Sequence, residues 1–420
     1  MLLKNCRIIT PTDTIEADIL IEGEKIARVG KALKDAEAID LKGSPVIPGL
    51  VDVHVHMRDF QEGYKEDFAS GSRAALVGGV TTFVDMPNSR PPVTDAATYR
   101  RRLAVAGAKS LVDFGLNYGI TPESLEELDR VAPVAGKVYM DGALGAVSDV
   151  VLADSMRRCR RLAVHAEDQG VIEENLRRLG MGSFSDHARI RAPEAEREAV
   201  RRLSGLASSL ERRVHICHVS SAATMRYMNE YVTCEVTPHH LLLTAQELER
   251  LGGIAKTNPP LRGKEDLAVL WEALIAGRID IIASDHAPHA AGEKRGPPGD
   301  VPSGVPNLEV MLRLLLTQVK AGRMSLNTLV EKACENPARL FGIMGKGAVR
   351  PGMDADLLVL DMKAGGTIKA EEFVSKARYS PFQGWKTTGG VDKVFLRGRL
   401  AYDRGDILVE EGYGRPLGLL

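Results

Sequence analysis

Pro48-Gly49-Leu50-Val51-Asp52-Val53-His54-Val55-His56-Met57-Arg58-Asp59 is a short, β-branched apolar run that ends in two histidines one residue apart. In a strand, side chains alternate faces with a period of two, so His54 and His56 project from one face. Two imidazoles on one face at a strand's end are a pair of metal ligands, or else two polar residues on a half-buried strand. The rest of the chain separates these readings, because further histidines and acids recur at the ends of later apolar runs.

Between residues 46 and 345 the chain alternates strand-like and helix-like segments, the signature of parallel β/α units. The expected strands are Leu50–His54, Thr81–Asp85, Asp113–Tyr118, Gly136–Met140, Leu162–His165, Val214–His218, Thr233–Val236 and Asp280–Ala283. Helical stretches between them include Asp67–Val77, Asp95–Ala108, Pro122–Arg130, Asp168–Leu179 and Glu194–Ser209. Eight such strands close a (β/α)8 barrel, which carries its site at the C-terminal strand ends. The Gly- and Pro-rich stretch Ala290–Pro306 after the eighth strand reads as a mobile lid or a disordered connection.

Both ends of the chain have a different texture. Lys4–Ile9, Ala17–Ile21 and Lys25–Val29 alternate like strands, and so do Asp356–Leu360, Lys393–Leu396 and Leu400–Tyr402. The expected fold is therefore α/β: a (β/α)8 TIM-like barrel over 46–345, with a small β-sandwich domain built from both termini, 1–45 and 346–420.

Composition bounds the function. The 420 residues are 44% hydrophobic and 26% charged, with a formal charge of −1, which suits a globular protein with a large core. The absence of a basic block argues against nucleic acid as a partner. No signal-peptide anatomy or membrane-length apolar run is visible, so no membrane association is expected. Cys6, Cys159, Cys217, Cys234 and Cys334 are odd in number and widely spaced, as in a reduced, cytoplasmic protein.

His165 falls at the end of the fifth strand, His218 at the end of the sixth, and Asp285 just after the eighth. With His54 and His56 they converge on one barrel mouth. Imidazoles and carboxylates are ligands that zinc takes when one coordination position must stay open. Four histidines and an aspartate are too many for a single catalytic zinc, which points to two metals sharing a hydroxide. Arg58, Asn88, Asn258 and His289 form a second ring of polar residues at the same mouth. Arg holds carboxylates bidentately and Asn matches an amide edge, so a small, anionic, amide-bearing substrate is expected. His215 is out of phase with His218 and is expected to face the helical layer. His187 reads as a loop residue, and His239 and His240 as hydrogen-bond partners behind the ligands, with direct metal ligation as the lesser alternative.

At this point the sequence resembles the cyclic amidohydrolases, and within them the dihydroorotases of an archaeal-looking branch. The motifs are Pro-Gly-Leu-Val-Asp-Val-His-Val-His-Met-Arg at 48–58, Lys-Glu-Asp-Phe at 65–68 and Gly-Gly-Val-Thr-Thr-Phe-Val-Asp-Met-Pro-Asn at 78–88. Thr-Asn-Pro-Pro-Leu-Arg at 257–262, Ser-Asp-His-Ala-Pro-His at 284–289 and Tyr-Ser-Pro-Phe-Gln-Gly-Trp at 379–385 continue them. The resemblance implies two Zn2+ ions, with His54, His56 and Asp285 on one and His165 and His218 on the other. It implies a strand-four bridge, best matched by a carboxylated Lys137, with Asp141 or Asp149 as the alternatives, and a bridging hydroxide. It further implies reversible cyclisation of N-carbamoyl-L-aspartate to L-dihydroorotate in pyrimidine synthesis. In that reaction Asp285 is the proton shuttle, Arg58, Asn88 and His289 hold the carboxylate, and Asn258, Ser303 and Gly304 contact the ring.

Some features keep neighbouring activities open. Arg58-Asp59-Phe60-Gln61 departs from the common Arg-Glu-Pro-Gly, and Ser303-Gly304-Val305-Pro306-Asn307-Leu308-Glu309 is shared with hydantoinase-like relatives. The alternatives are an allantoinase or dihydropyrimidinase, and a non-catalytic partner of aspartate transcarbamoylase. Homo-oligomer formation and association with that transcarbamoylase alongside catalysis are both compatible with the sequence.

Overall fold

The computed structural model describes residues 1–419. The barrel strands are β1 (Leu50–Val55), β2 (Val80–Asp85), β3 (Asp113–Leu116), β4 (Gly136–Tyr139), β5 (Leu162–His165), β6 (Val214–Ile216), β7 (Val232–Val236) and β8 (Ile281–Ile282). Each lies where the sequence places it, with ends shifted by at most two residues. Neighbours pair in parallel from β1 to β3 and from β4 to β8, and Tyr118–Gly119 carries the line of β3 across to β4. A parallel bridge from Val55 to His286 and a 2.8 Å bond from the His56 amide to the His286 carbonyl close the ring. Every residue of β1 and β2 is buried, as expected of strands covered on both faces.

The helices start where aspartates stop the strands' connections. Asp67, Asp95 and Asp168 accept from the main-chain amides of Ser70, Thr98 and Val171, capping helices Phe68–Val77, Ala96–Lys109 and Gln169–Leu179. Pro122–Arg130, read as an α-helix, instead makes a 3-10 run over Ser124–Arg130 with no side-chain cap. A short run without a cap does not repay the cost of nucleating an α-helix.

The terminal strands join in one nine-stranded sheet. Within it Pro45–Pro48 lies parallel to Leu2–Ile9 on one side and antiparallel to Leu357–Thr367 on the other. The sheet has its own core, with Leu3, Ile8, Ile19, Ile26, Leu357 and Phe395 packed together. The last described residues then return to the barrel. The Phe114 amide donates to the Arg415 carbonyl at 3.0 Å, and the Leu417 amide donates to the Phe114 carbonyl at 2.9 Å.

A buried charge cluster joins sheet and barrel. Lys346 Nζ lies 2.6 Å from both Asp113 and Asp356 and 3.0 Å from Asp354, and Arg397 also pairs with Asp113. Lys346 is 4% exposed, so its removal strands carboxylates away from water. Lys346→Met is expected to destabilise the fold by about 3–5 kcal/mol, read as a lower urea midpoint at an unchanged slope. An unshifted midpoint would show that the cluster contributes nothing net.

The Ala290–Pro306 segment is tied down. Lys294 Nζ donates to the carbonyls of Pro302 (2.7 Å) and Gly304 (2.9 Å), and Lys256 Nζ to those of Pro298 (2.7 Å) and Val301 (2.6 Å). The Tyr379 hydroxyl donates to the Gly304 carbonyl at 3.1 Å. Burial lowers both ammonium pKa values, that of Lys256 to about 8.

Candidate active site

The strand ends bring the histidines together. His56 Nε2 lies 3.2 Å from Asp285 Oδ1, and His54 Nε2 lies 3.4 Å from the same oxygen. His165 Nδ1 faces His218 Nε2 at 3.0 Å, and the His54 and His218 rings are 5.1 Å apart. Arg58, His218 and Asp285 have positive φ values of 52°, 36° and 44°. Such backbone costs about 1–3 kcal/mol per residue and concentrates where function over-determines it. Here it turns each side chain inward just as its strand runs out.

Behind the cluster, acceptors fix the tautomers. His54 Nδ1 donates to Glu235, and His56 Nδ1 donates to Asn88 Oδ1 at 2.7 Å. His165 Nε2 donates to Glu167 at 2.8 Å. Each of these rings therefore keeps its other nitrogen for the shared space, where a bound metal takes the place of a proton. His218 Nδ1 is buried without a partner among the described residues.

The electrostatics also suit a cation. Burial alone would strip the His54 proton, but Glu235 and Asp285 outweigh it and hold the pKa up at about 10. Burial pulls His56 down to about 4 and His218 well below the usual range, leaving neutral imidazoles. Burial would raise Asp285, yet His54 and His56 keep it below the usual carboxylate range. Ligand atoms of His54, His218 and Asp285 lie within 4.8 Å of one another. This donor set fits a divalent transition metal.

All the expected site residues except Lys137 line one cavity of 450 Å3. Lys137 lies beneath it, fully buried, with Nζ 2.9 Å from Cys217 Sγ. Of the alternative bridges, Asp141 pairs with Arg191 at 2.9 Å on the cavity wall, whereas Asp149 is exposed and pairs with Arg202. Arg58 Nε donates to the Pro288 carbonyl at 2.9 Å, and its Nη2 meets His289 Nε2 at 3.1 Å. The Arg58 carbonyl is held at 2.8 Å by buried Arg102, itself 2.7 Å from Asp85. Asn258 meets Ser303 Oγ at 2.9 Å.

Four participants lie outside the set read from sequence: Glu235, Glu167, Arg191 and Tyr139. Arg191 pairs with both Asp141 and Glu167, and Tyr139 stacks on His165 with its hydroxyl buried and unpartnered among the described residues. A glutamate inside the apolar run Thr233-Cys234-Glu235-Val236 was the available signal, since a buried charge needs a partner. The expectation for His215 is corrected. Its ring faces the barrel interior, 3.1 Å from Glu235 and edge-on to Phe341. Strand alternation fails there because the positive φ at His218 breaks the phase. His187 lies in the short helix Phe184–Ile190, not a loop, and its Nε2 is 2.9 Å from the Thr257 carbonyl. His239 is held by Asn307, and His240 by Thr237 and the Pro259 carbonyl; neither makes a hydrogen bond to a candidate ligand among the described residues, and His239 Nε2 is buried without a partner there.

Comparison with known proteins fits this geometry. The model of the amidohydrolase family matches residues 46–401. The chain belongs to the amidohydrolase family. It is 43% identical to the dihydroorotase of Methanothermobacter thermautotrophicus, over 98% of this chain and 96% of the relative. It is 37% identical to that of Pyrococcus horikoshii, over 96% and 91%. Among solved structures, an L-hydantoinase (dihydropyrimidinase) from Arthrobacter aurescens matches with a TM-score of 0.95 at 33% identity, covering 99% of each chain. A D-hydantoinase (dihydropyrimidinase) from Thermus sp. matches with a TM-score of 0.93 at 28% identity, covering 100% and 98%.

Amidohydrolase family membership and the donor set agree on a metal cofactor. Loss of an outer partner is therefore testable. Glu235→Gln is expected to weaken metal binding roughly 10- to 100-fold, measured by competition with a chelator. Unchanged affinity would mean that Glu235 has no part in orienting His54.

Proposed function

We propose that the protein catalyses the dihydroorotase reaction, the reversible closure of N-carbamoyl-L-aspartate to L-dihydroorotate, with two zinc ions bridged by a carboxylated Lys137. The observation that carries the substrate is Arg58, set with His289 and Asn88 in the same cavity as the histidines and Asp285. Dihydroorotate has a ring amide to place at the metal cluster and a carboxylate to place on the arginine. Neutral rings such as dihydrouracil offer nothing to Arg58.

Arg58 and the Asn88 amide nitrogen hold that carboxylate, the Asn88 oxygen being engaged by His56. This orients the scissile amide toward Asp285, where positioning supplies much of the rate. Zinc, when bound, supplies Lewis acidity and a nucleophile at neutral pH. Asp285 is ionised and its Oδ2 makes no hydrogen bond among the described residues, which leaves it free to act as a base. In ring opening, water adds to the amide carbon, Asp285 takes the water's proton, the C–N bond breaks, and the proton passes to the departing nitrogen. Closure runs the same steps backwards and releases water.

Lys137 supports the bridge by its surroundings. A fully buried ammonium whose hydrogen-bond partner is a thiol is poorly compensated. Addition of CO2 to the neutral amine, with loss of one proton, turns it into an anion suited to two cations. All five cysteines are free and no described helix is long and apolar enough to cross a membrane, which supports a cytoplasmic location.

A second reading, hydrolysis of an uncharged cyclic ureide or imide, draws support from the hydantoinase structures alone. Turnover of L-dihydroorotate, allantoin and dihydrouracil by metal-loaded protein, beside a chelated control, decides between them. Metal-dependent opening of dihydroorotate in preference to the others is expected. Preference for either uncharged ring would reassign Arg58. No turnover with metal verified in the protein would favour a non-catalytic role.

A further inference from the structure

The barrel interior beneath the substrate cavity holds two polar groups whose needs are unmet. Lys137 and Tyr139 alternate with Val138 along β4 and so share one face, while Val138 packs in the main hydrophobic core. Lys137 is fully buried, and its Nζ donates to Cys217 Sγ at 2.9 Å, a weak acceptor. Tyr139 is 5% exposed, and its hydroxyl oxygen is buried with no hydrogen-bond partner among the described residues. A buried donor left unpaired carries its whole desolvation cost. The ring is fixed where it stands: it stacks on His165, with centroids 6.0 Å apart, and its centre lies 5.0 Å from Lys137 Nζ.

We propose that Tyr139 is a positioning residue for a modified Lys137, its hydroxyl donating a hydrogen bond to an oxygen of a carbamate on Nζ. This role rests on the carboxylated lysine proposed above. The neutral amine gives its lone pair to the carbon of CO2, one C–O π pair moves onto oxygen, and the nitrogen releases one proton to solvent. That addition removes a poorly compensated ammonium and brings an anionic acceptor to the orphaned phenol, so one reaction satisfies both groups. Hydrogen bonds to an ionised acceptor are the strong ones. The carbamate oxygens extend beyond Nζ and the phenol oxygen beyond the ring, and the 5.0 Å between Nζ and the ring centre is short enough for them to meet. Bound substrate is the poorer acceptor. Tyr139 borders the cavity, but its hydroxyl oxygen is shut off from it, in the buried layer where Lys137 lies. His165, stacked on the phenol, is held by Glu167 at 2.8 Å, so the hydroxyl fixes the carbamate relative to a candidate metal ligand.

Zinc-loaded protein equilibrated with 13C-labelled bicarbonate and read by 13C NMR tests this role. A carbamate resonance that Lys137→Ala abolishes is expected in the parent protein. In Tyr139→Phe the bicarbonate concentration that half-fills the site is expected to rise roughly tenfold or more, the loss of one hydrogen bond to a charged group. The urea midpoint of metal-free, CO2-free protein is expected not to fall in that variant, because the hydroxyl has no partner there to lose. No Lys137-dependent resonance in the parent overturns the modified lysine and this role together. A resonance that is present and fills at the same concentration in Tyr139→Phe overturns the role of the tyrosine alone. If KM for dihydroorotate then rises in that variant, the hydroxyl belongs to the substrate instead. A lower midpoint without CO2 also overturns the role, since the hydroxyl would then have its partner within the protein.

Discussion

Asp285→Ala is expected to lower kcat on the order of 10²- to 10⁴-fold, the range that a positioned acid–base group supplies. The carboxylate stands 3.2 Å from His56 and 3.4 Å from His54 through one oxygen. The other oxygen is left to move a proton. Because His54 and His56 keep their own holding partners, Glu235 and Asn88, the variant is expected to retain at least one metal per chain by elemental analysis. That retention separates loss of the proton carrier from loss of the site. Turnover at the parental rate would remove Asp285 from the chemistry.

Arg58→Gln is expected to raise KM for dihydroorotate roughly 10- to 150-fold, because a hydrogen bond to a charged group contributes about 1.5–3 kcal/mol. The effect on kcat is expected to be smaller. The backbone at this position is anchored independently, since Arg102 holds the Arg58 carbonyl. The loop thus keeps its shape when the side chain changes. Any residual opening of dihydrouracil, which carries no carboxylate, is expected to be unaffected. A KM for dihydroorotate that stays put would undo the substrate assignment, which rests on this guanidinium.

Much of this was legible in the sequence because strands and their ends write themselves plainly. Apolar β-branched runs give the eight barrel strands, and a histidine or aspartate at a strand's end gives the cluster. Period-two reasoning failed where the backbone leaves the strand, at His218 with its φ of 36°, and so it sent His215 outward. Glu235 and Glu167 were hidden for another reason. Their roles come from pairing with residues far away in sequence, His54 with Glu235 and Arg191 with Glu167; the apolar run around Glu235 says that it needs a partner, but no local pattern says which one. The fate of Ala290–Pro306 was equally unreadable. Its order comes from two lysines that spend their ammoniums on main-chain carbonyls, and composition alone does not reveal that.

The interleaved terminal sheet sets an order of events during synthesis. Pro45–Pro48 has its partner in Leu357–Thr367, so its free edge waits while the intervening barrel is translated. At about 5–20 residues per second that wait is roughly 15–60 s. An unpaired edge is a template for unwanted pairing. The Gly49 amide donates to the Asp356 carbonyl at 2.9 Å, so alternation puts the nitrogens of Pro45 and Ile47 on this same edge, and Pro45 leaves it one N–H short for a stray strand. The nascent chain thus shields its own unfinished seam until the matching strand leaves the ribosome.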